Sequence, residues 1–356
     1  MEKGTVPRII IDVGCPFYGS RIMKIAYRQK KNGIEILRCW NEGENIQIPA
    51  EIHGLPVTSI GDYAFSPGYN SKMSLTASPV GGRHQDEEMD KAYFYEESLL
   101  TREDQEPEFS GDVVESVEFP KSLEAIGKYA FYGCRNLHRL AFSDRLHRLG
   151  AGIFTGCRHR LRIEIDMFNG ESTCLKEICG EVRYELDVIL RYHLSGQEAH
   201  LIFPEHYEEA VENTPARILF TQHHGSGNHF RQCFFERKVQ YADYDRVFSL
   251  AEAQEEMDVL ARLIYGRLAY PYQLSGRSKE MYREFGRKNA AKLADCYLEK
   301  ENLDGLCMMT EQGLWTQDTL SCAILKASKK QNAEALSYLM QAEHRLFPPE
   351  AKTFEL

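Results

Sequence analysis

The chain has 356 residues, ten cysteines and a formal charge of −10 at neutral pH. It contains no apolar run approaching the roughly 18 residues that a membrane-spanning helix needs, and no basic stripe able to neutralise several phosphates. A membrane partner and a nucleic-acid partner are therefore not expected.

The first twenty residues, MEKGTVPRIIIDVGCPFYGS, hold an apolar stretch from Val6 to Val13 that Pro7, Arg8 and Asp12 interrupt. It is too short and too polar for a secretory h-region, so the expected location is cytoplasmic. The cysteines are scattered without a CxxC pair, which reads as buried thiols in a reducing compartment. From Ile22 to Cys39 apolar and polar residues alternate around Asn32-Gly33, a strong short-range hairpin signal. Residues 1–45 are therefore expected to form an N-terminal β cap.

Residues 46–165 carry internal repeats. Val117 to Cys134 (VEFPKSLEAIGKYAFYGC) aligns without gaps on Leu140 to Cys157 (LAFSDRLHRLGAGIFTGC) at a spacing of 23. Ile46 to Phe65 carries the same signature. A unit this short cannot bury its own apolar face, so such units stack and align equivalent side chains into ladders. The alignment predicts one ladder of Ile60, Ile126 and Leu149, and another of Phe65, Phe131 and Phe154. The glycine after each residue of the first ladder suits positive φ or a close backbone approach. Cys134 and Cys157 share one repeat position and are expected to stack as small buried residues.

The pattern carried by Phe119-Pro120, Leu123, Ile126-Gly127, Ala130-Phe131, Gly133-Cys134 and Leu137 resembles the BspA-type leucine-rich repeats of bacterial proteins. The next copy has Ser143 in place of the proline and Ile153 in place of the alanine. The resemblance implies a bacterial origin, a repeat solenoid and a role in binding other proteins.

The interval from Phe65 to Phe119 far exceeds that from Phe131 to Phe142, which marks an insertion at about 66–110. From His84 to Asp112 eleven acids face two bases, so nearly all the net charge lies there. This composition predicts a loop with no fixed structure, or an acidic arm.

Residues 166–246 read as a small α/β module. A helix is expected over Cys174 to Leu186, with strands at Val188–Tyr192, Ala199–Phe203 and Arg217–Thr221. A second helix is expected over Pro204 to Glu212, with the proline in its first turn. Residues 247–356 read as helical repeats at a spacing near 30, pairing Leu293 with Ala323, Leu306 with Leu336 and Met309 with Leu339. These helix pairs look weakly ankyrin-like, although the TPLHxA signature is absent. The predicted class is α+β: a leucine-rich-repeat β-solenoid with a β cap, an α/β module and a helical C-terminal domain.

Candidate chemistry concentrates at His223-His224-Gly225-Ser226-Gly227-Asn228-His229, with Cys233 beyond it. Three imidazoles and a thiolate are possible zinc ligands, but no HExxH or CxxC spacing accompanies them. Gly225-Ser226-Gly227 lacks the G-x-S-x-G spacing of a nucleophile elbow. Glu205, His206, Glu208 and Glu209 would lie on a solvated helix face. The Tyr270-Pro271-Tyr272 turn is a candidate recognition surface, because exposed tyrosines favour protein contacts. The sequence thus predicts a non-enzymatic, cofactor-free scaffold that binds another protein, with speculative binding residues His223, His224, Ser226, His229, Tyr270 and Tyr272. The alternative is a metal- or ligand-binding module or enzyme centred on the His223–Cys233 loop.

Overall fold

A computed structural model describes residues 9–11, 23–41, 43–67, 113–213 and 218–348. The expected acidic insertion lies outside the described residues. The chain divides into two compact units, Met1–Gly196 with Glu236–Lys238, and Gln197–Phe235 with Val239–Leu356. Among the described residues no helix is long and apolar enough to cross a membrane.

The first unit is a β-solenoid with a sheet on each of two sides. One sheet runs β4 (Asn45–Gln47), β7 (Ser116–Glu118), β9 (Arg139–Ser143), β11 (Leu161–Met167) and β12 (Leu186–Tyr192), all parallel. The other runs β1 (Ile9–Ile11), β2 (Met23–Lys30), β3 (Gly33–Asn41), β6 (Leu55–Ile60), β8 (Ala125–Ile126) and β10 (Arg148–Leu149). A short β5 (Glu51–Ile52) pairs antiparallel with β6. The β2–β3 hairpin turns through Lys31 and Asn32, with Gly33 as the first residue of the returning strand.

Both predicted ladders are present. Ile60 pairs with Ile126 and Ile126 with Leu149 in strand register. The Phe131 ring lies parallel to those of Phe65 and Phe154, at 4.9 and 6.1 Å between centroids. Phe65 and Phe131 are fully buried, and an aromatic side chain in such a core buries on the order of 150–250 Å². The backbone follows the same period: Phe65 N–H donates to Ala130 O, and Phe131 N–H to Ile153 O. The cysteines use their period for hydrogen bonding, Cys134 Sγ donating to Phe65 O at 3.3 Å and Cys157 Sγ to Phe131 O at 3.4 Å.

The glycines resolve into two kinds. Gly127 and Gly150 sit where adjacent rungs touch: a Cβ would lie 2.5 Å from Asp62 N or 2.3 Å from Lys128 N respectively. Close approach, rather than positive φ, demands glycine there. Positive φ belongs to another repeat position, occupied by Tyr63 (57°), Tyr129 (54°) and Gly152 (68°). Two tyrosines hold a conformation that costs a non-glycine residue about 1 kcal/mol or more, and their rings stack at 5.2 Å.

A solenoid end leaves backbone donors without a following rung. Here the helix α1 (Leu175–Glu181) supplies the acceptor: the Glu181 carboxylate takes the N–H groups of Gly152 (2.8 Å) and Ile153 (3.0 Å). The helix expected over 174–186 thus stops at Glu181. The chain then returns as β12, which adds in register to β11. Helix α1 and β12, expected in a separate α/β module, thus belong to the first unit.

The second unit begins with β13 (Gln197–Phe203). The helix expected over 204–212 is instead a strand. β14 (Tyr207–Asn213) forms an antiparallel hairpin with β15 (Ile218–His224), pairing Tyr207 with His224 and Asn213 with Ile218. Cross-strand pairing overrides the helix-start signal of Pro204. A short α2 (Gly227–Arg231) follows. Then come α3 (Tyr241–Gln254), α4 (Met257–Ala269), α5 (Gly276–Lys288), α6 (Ala290–Glu299), α7 (Leu303–Glu311), α8 (Gln317–Lys329) and α9 (Ala333–Leu346). Asn302, Thr316 and Asn332 cap α7, α8 and α9, each accepting a backbone N–H three residues on. Gly313, at φ +66°, ends the α7 segment.

The helical core is organised by a buried ion pair. Arg267, fully buried, donates to Asp245 through Nε (2.7 Å) and Nη2 (3.1 Å). Tyr282 Oη donates to the same carboxylate at 3.0 Å, and Arg267 Nη1 donates to Tyr272 O at 3.1 Å. A pair so enclosed is tolerated only because its hydrogen-bonding capacity is met.

Candidate functional site

The parallel strands β4, β7, β9 and β11 end in loops that repeat from rung to rung: Ile48-Pro49 after β4, Phe119-Pro120 after β7, Ser143-Asp144 closing β9, and Phe168-Asn169 after β11. Each loop is anchored to the next rung, with Ile48 N–H donating to Glu118 O, Phe119 N–H to Ala141 O and Asp144 N–H to Asp166 O. Ile48-Pro49, Phe119-Pro120 and Phe168-Asn169, with Arg145 beyond Asp144, line a groove of about 750 Å³.

The groove has an apolar floor and charged rims. Ile48 and Phe119 are buried beneath it, and Pro49, Pro56 and Pro120 form its walls. Lys121 and Arg145 line it as cations, and Glu51 and Glu118 as anions. Lys121 Nζ lies 4.7 Å from the centre of the Phe168 ring, a cation–π distance. Its backbone is held by Ser143, whose hydroxyl donates to Lys121 O at 3.0 Å. Phe168 is held in turn by the Asp144 carboxylate, which accepts the N–H groups of Phe168 (3.0 Å) and Asn169 (2.5 Å). Phe168 is also stacked on His193 at 4.2 Å, and His193 Nε2 meets Asp166 Oδ1 at 2.8 Å. Phe168 and the Lys121 backbone are thus held by their own neighbours, and Arg145 Nη2 meets Glu124 Oε1 at 3.4 Å.

Beside it, the outer face of the same sheet carries a charge network centred on Glu164. Arg139 donates to both its oxygens (2.9 and 3.1 Å), Arg162 to Oε1 (3.1 Å) and Arg191 to Oε2 (2.9 Å). Burial pushes this carboxyl up, but the hydrogen bonds and charges of Arg139 and Arg191 outweigh it and hold Glu164 down at about 2. Three strands are cross-linked by one carboxylate.

The residues singled out in the sequence do not form one centre. His224 stacks on Tyr207 at 4.4 Å, and its Nε2 meets Glu209 Oε2 at 3.1 Å. Ser226 is fully buried, and Glu255 Oε1 accepts both its hydroxyl (2.6 Å) and its backbone N–H (2.8 Å). His229 is exposed, while the Cys233 thiol donates to His229 O at 3.3 Å. Burial pushes that thiol up to about 11, away from the thiolate that ligation or nucleophilic attack needs. The His223 side chain lies outside the described residues. Tyr270 packs edge-on against His200 and Tyr265. Tyr272 packs edge-on against Tyr241, and its carbonyl accepts from Arg267. Both tyrosines are half-buried. Among the described residues no three His, Cys, Asp or Glu side chains gather as metal ligands would.

The groove residues were not singled out from sequence, although the repeated Ile-Pro and Phe-Pro pairs were seen there as a repeat signature. Proline after a strand both ends the ladder and leaves an apolar ring at the surface.

A family model described as BspA type Leucine rich repeat region (6 copies) matches residues 105–177. No curated protein and no solved structure matches the chain.

Proposed function

Given that the chain carries a BspA-type leucine-rich repeat region, we propose that it is a non-enzymatic protein-interaction scaffold that holds an extended segment of a partner protein in the groove of its solenoid. The groove is the observation that carries this reading. An apolar side chain would lie on Ile48 and Phe119, and an acidic one would meet Lys121 and Arg145, the cations that line it. Repeat solenoids commonly bind through such continuous surfaces. A non-catalytic role is supported by the His223–Cys233 loop, where Ser226 is committed to Glu255 and Cys233 stays a thiol. A cytoplasmic location is supported by Cys134 and Cys157, whose thiols serve as hydrogen-bond donors in the stack.

The test is a displayed random-peptide selection against the full chain, followed by fluorescence anisotropy of the enriched peptides. The reading expects peptides pairing an acidic with an apolar residue, weakened at least about tenfold by Lys121→Glu, which is about 1.4 kcal/mol. Failure to enrich any peptide, or peptides that bind the Lys121→Glu and Phe168→Ala variants as tightly as the unaltered chain, contradicts it.

A further inference from the structure

The charged groups of the groove are sorted by rung. Glu51 lies in β5, just after the first rung's β4, and Glu118 ends β7 on the second; both line the groove and both are exposed. Lys121 is rooted on the second rung, but its Nζ stands 4.7 Å from the ring centre of Phe168, which follows β11 on the fourth. Arg145 follows β9 on the third. The groove is therefore acidic towards β4 and β7 and cationic towards β9 and β11, over an apolar floor.

These charges are not consumed inside the molecule. Among the described residues Glu51, Glu118 and Lys121 have no ion-pair partner. Arg139, on the strand beside Glu118, directs its donors to both oxygens of Glu164. The Arg145 side chain is 55% exposed, and its 3.4 Å contact with Glu124 leaves it accessible from the groove. Opposite charges placed at two ends of one site select partners by charge order, because a like charge at either end is repelled.

We propose that the groove reads charge order: the bound segment carries a basic residue that meets Glu51 and Glu118, and an acidic residue that meets Lys121 and Arg145. This rests on the scaffold reading of the groove and narrows its partner from an acidic segment to a zwitterionic one. Rungs stand about 4.8 Å apart, and an extended chain advances about 3.3 Å per residue. The two ends are about two rungs apart, so base and acid are separated by about three residues. A segment with acids at both places would set one of them against Glu51 and Glu118.

The test uses the peptides that the displayed selection on the full chain enriches. They should carry a base about three residues from the acid. Replacing that base with glutamate should weaken binding at least about tenfold. Glu51→Lys with Glu118→Lys should reverse the preference, favouring the glutamate peptide over its parent. Glu51→Gln with Glu118→Gln, the milder pair, should remove the difference between them. All four replacements are at exposed side chains, and circular dichroism checks that the fold is kept. Enriched peptides that lack the base, or whose affinities ignore both glutamate pairs while Lys121→Glu still weakens them, overturn this inference and leave the scaffold reading standing. Failure to enrich any peptide overturns both.

Discussion

The rings of Phe131 and Phe154 lie 6° from parallel with their centroids 6.1 Å apart, although 23 positions separate them in the chain. Phe65 stacks on the other side of Phe131. Phe131 is therefore the middle of three equivalent positions, and each packs against its own repeat. Replacing Phe131 with alanine should cost about 3–5 kcal/mol and lower the Tm of the solenoid, measured by calorimetry. The same replacement at exposed Tyr132 should cost well under half of that.

Glycines at different repeat positions should respond for different reasons. Gly150→Ala forces a Cβ to 2.3 Å from Lys128 N, where backbone must move, and should destabilise by more than about 1 kcal/mol. Gly180→Ala meets nothing within 4 Å and lies inside α1 at ordinary φ. It should be neutral or stabilise by a few tenths up to about 1 kcal/mol. Chemical denaturation of the two variants separates close approach from helix propensity.

Glu164 gives the solenoid a pH dependence with a defined sign. Its folded pKa, about 2, is below the ordinary glutamate range. The network's contribution is therefore complete above that range and is lost as pH falls towards about 2. Glu164→Gln should cost about 1–3 kcal/mol at neutral pH. The gap between variant and wild type should close as pH falls below about 4. Urea titrations at several pH values check this; a gap that widens on acidification contradicts it.

In the helical unit, Asp245→Asn leaves Arg267 charged and sealed without its counter-ion. A loss of about 3–5 kcal/mol is expected, far more than the surface change Asp243→Asn should cost. Hydrogen exchange in α3 and α4 should rise accordingly, while exchange in the solenoid strands stays unchanged.

The ladders were legible because two gapless copies put Phe131 on Phe154 and Ile126 on Leu149 at one spacing. The last rung was not, because β11 to β12 spans 25 residues and substitutes α1 for the Gly-x-x-Ala-Phe turn. Its strand thus looked like part of another module. Pro204 followed by acids imitated a helix start, whereas Tyr207–Asn213 owes its conformation to β15, a partner that local sequence does not display. The same cause hid the pairing of His224 with Glu209. The groove was half visible, through its Ile-Pro and Phe-Pro pairs, but Lys121 meets Phe168 only after the chain has wound through two rungs. The Asp245–Arg267 pair had a signal that went unused: Asp245 falls on the stripe of Tyr241 and Phe248, where a solvated charge does not belong.

The central claim is that consecutive units stack so that like residues share one core. A double-mutant cycle on Phe131→Leu and Phe154→Leu, read by urea denaturation, tests it most directly. The account predicts a coupling energy of at least about 0.5 kcal/mol, with none between Phe131→Leu and Phe285→Leu in the other unit. Strict additivity of the Phe131 and Phe154 changes would contradict it.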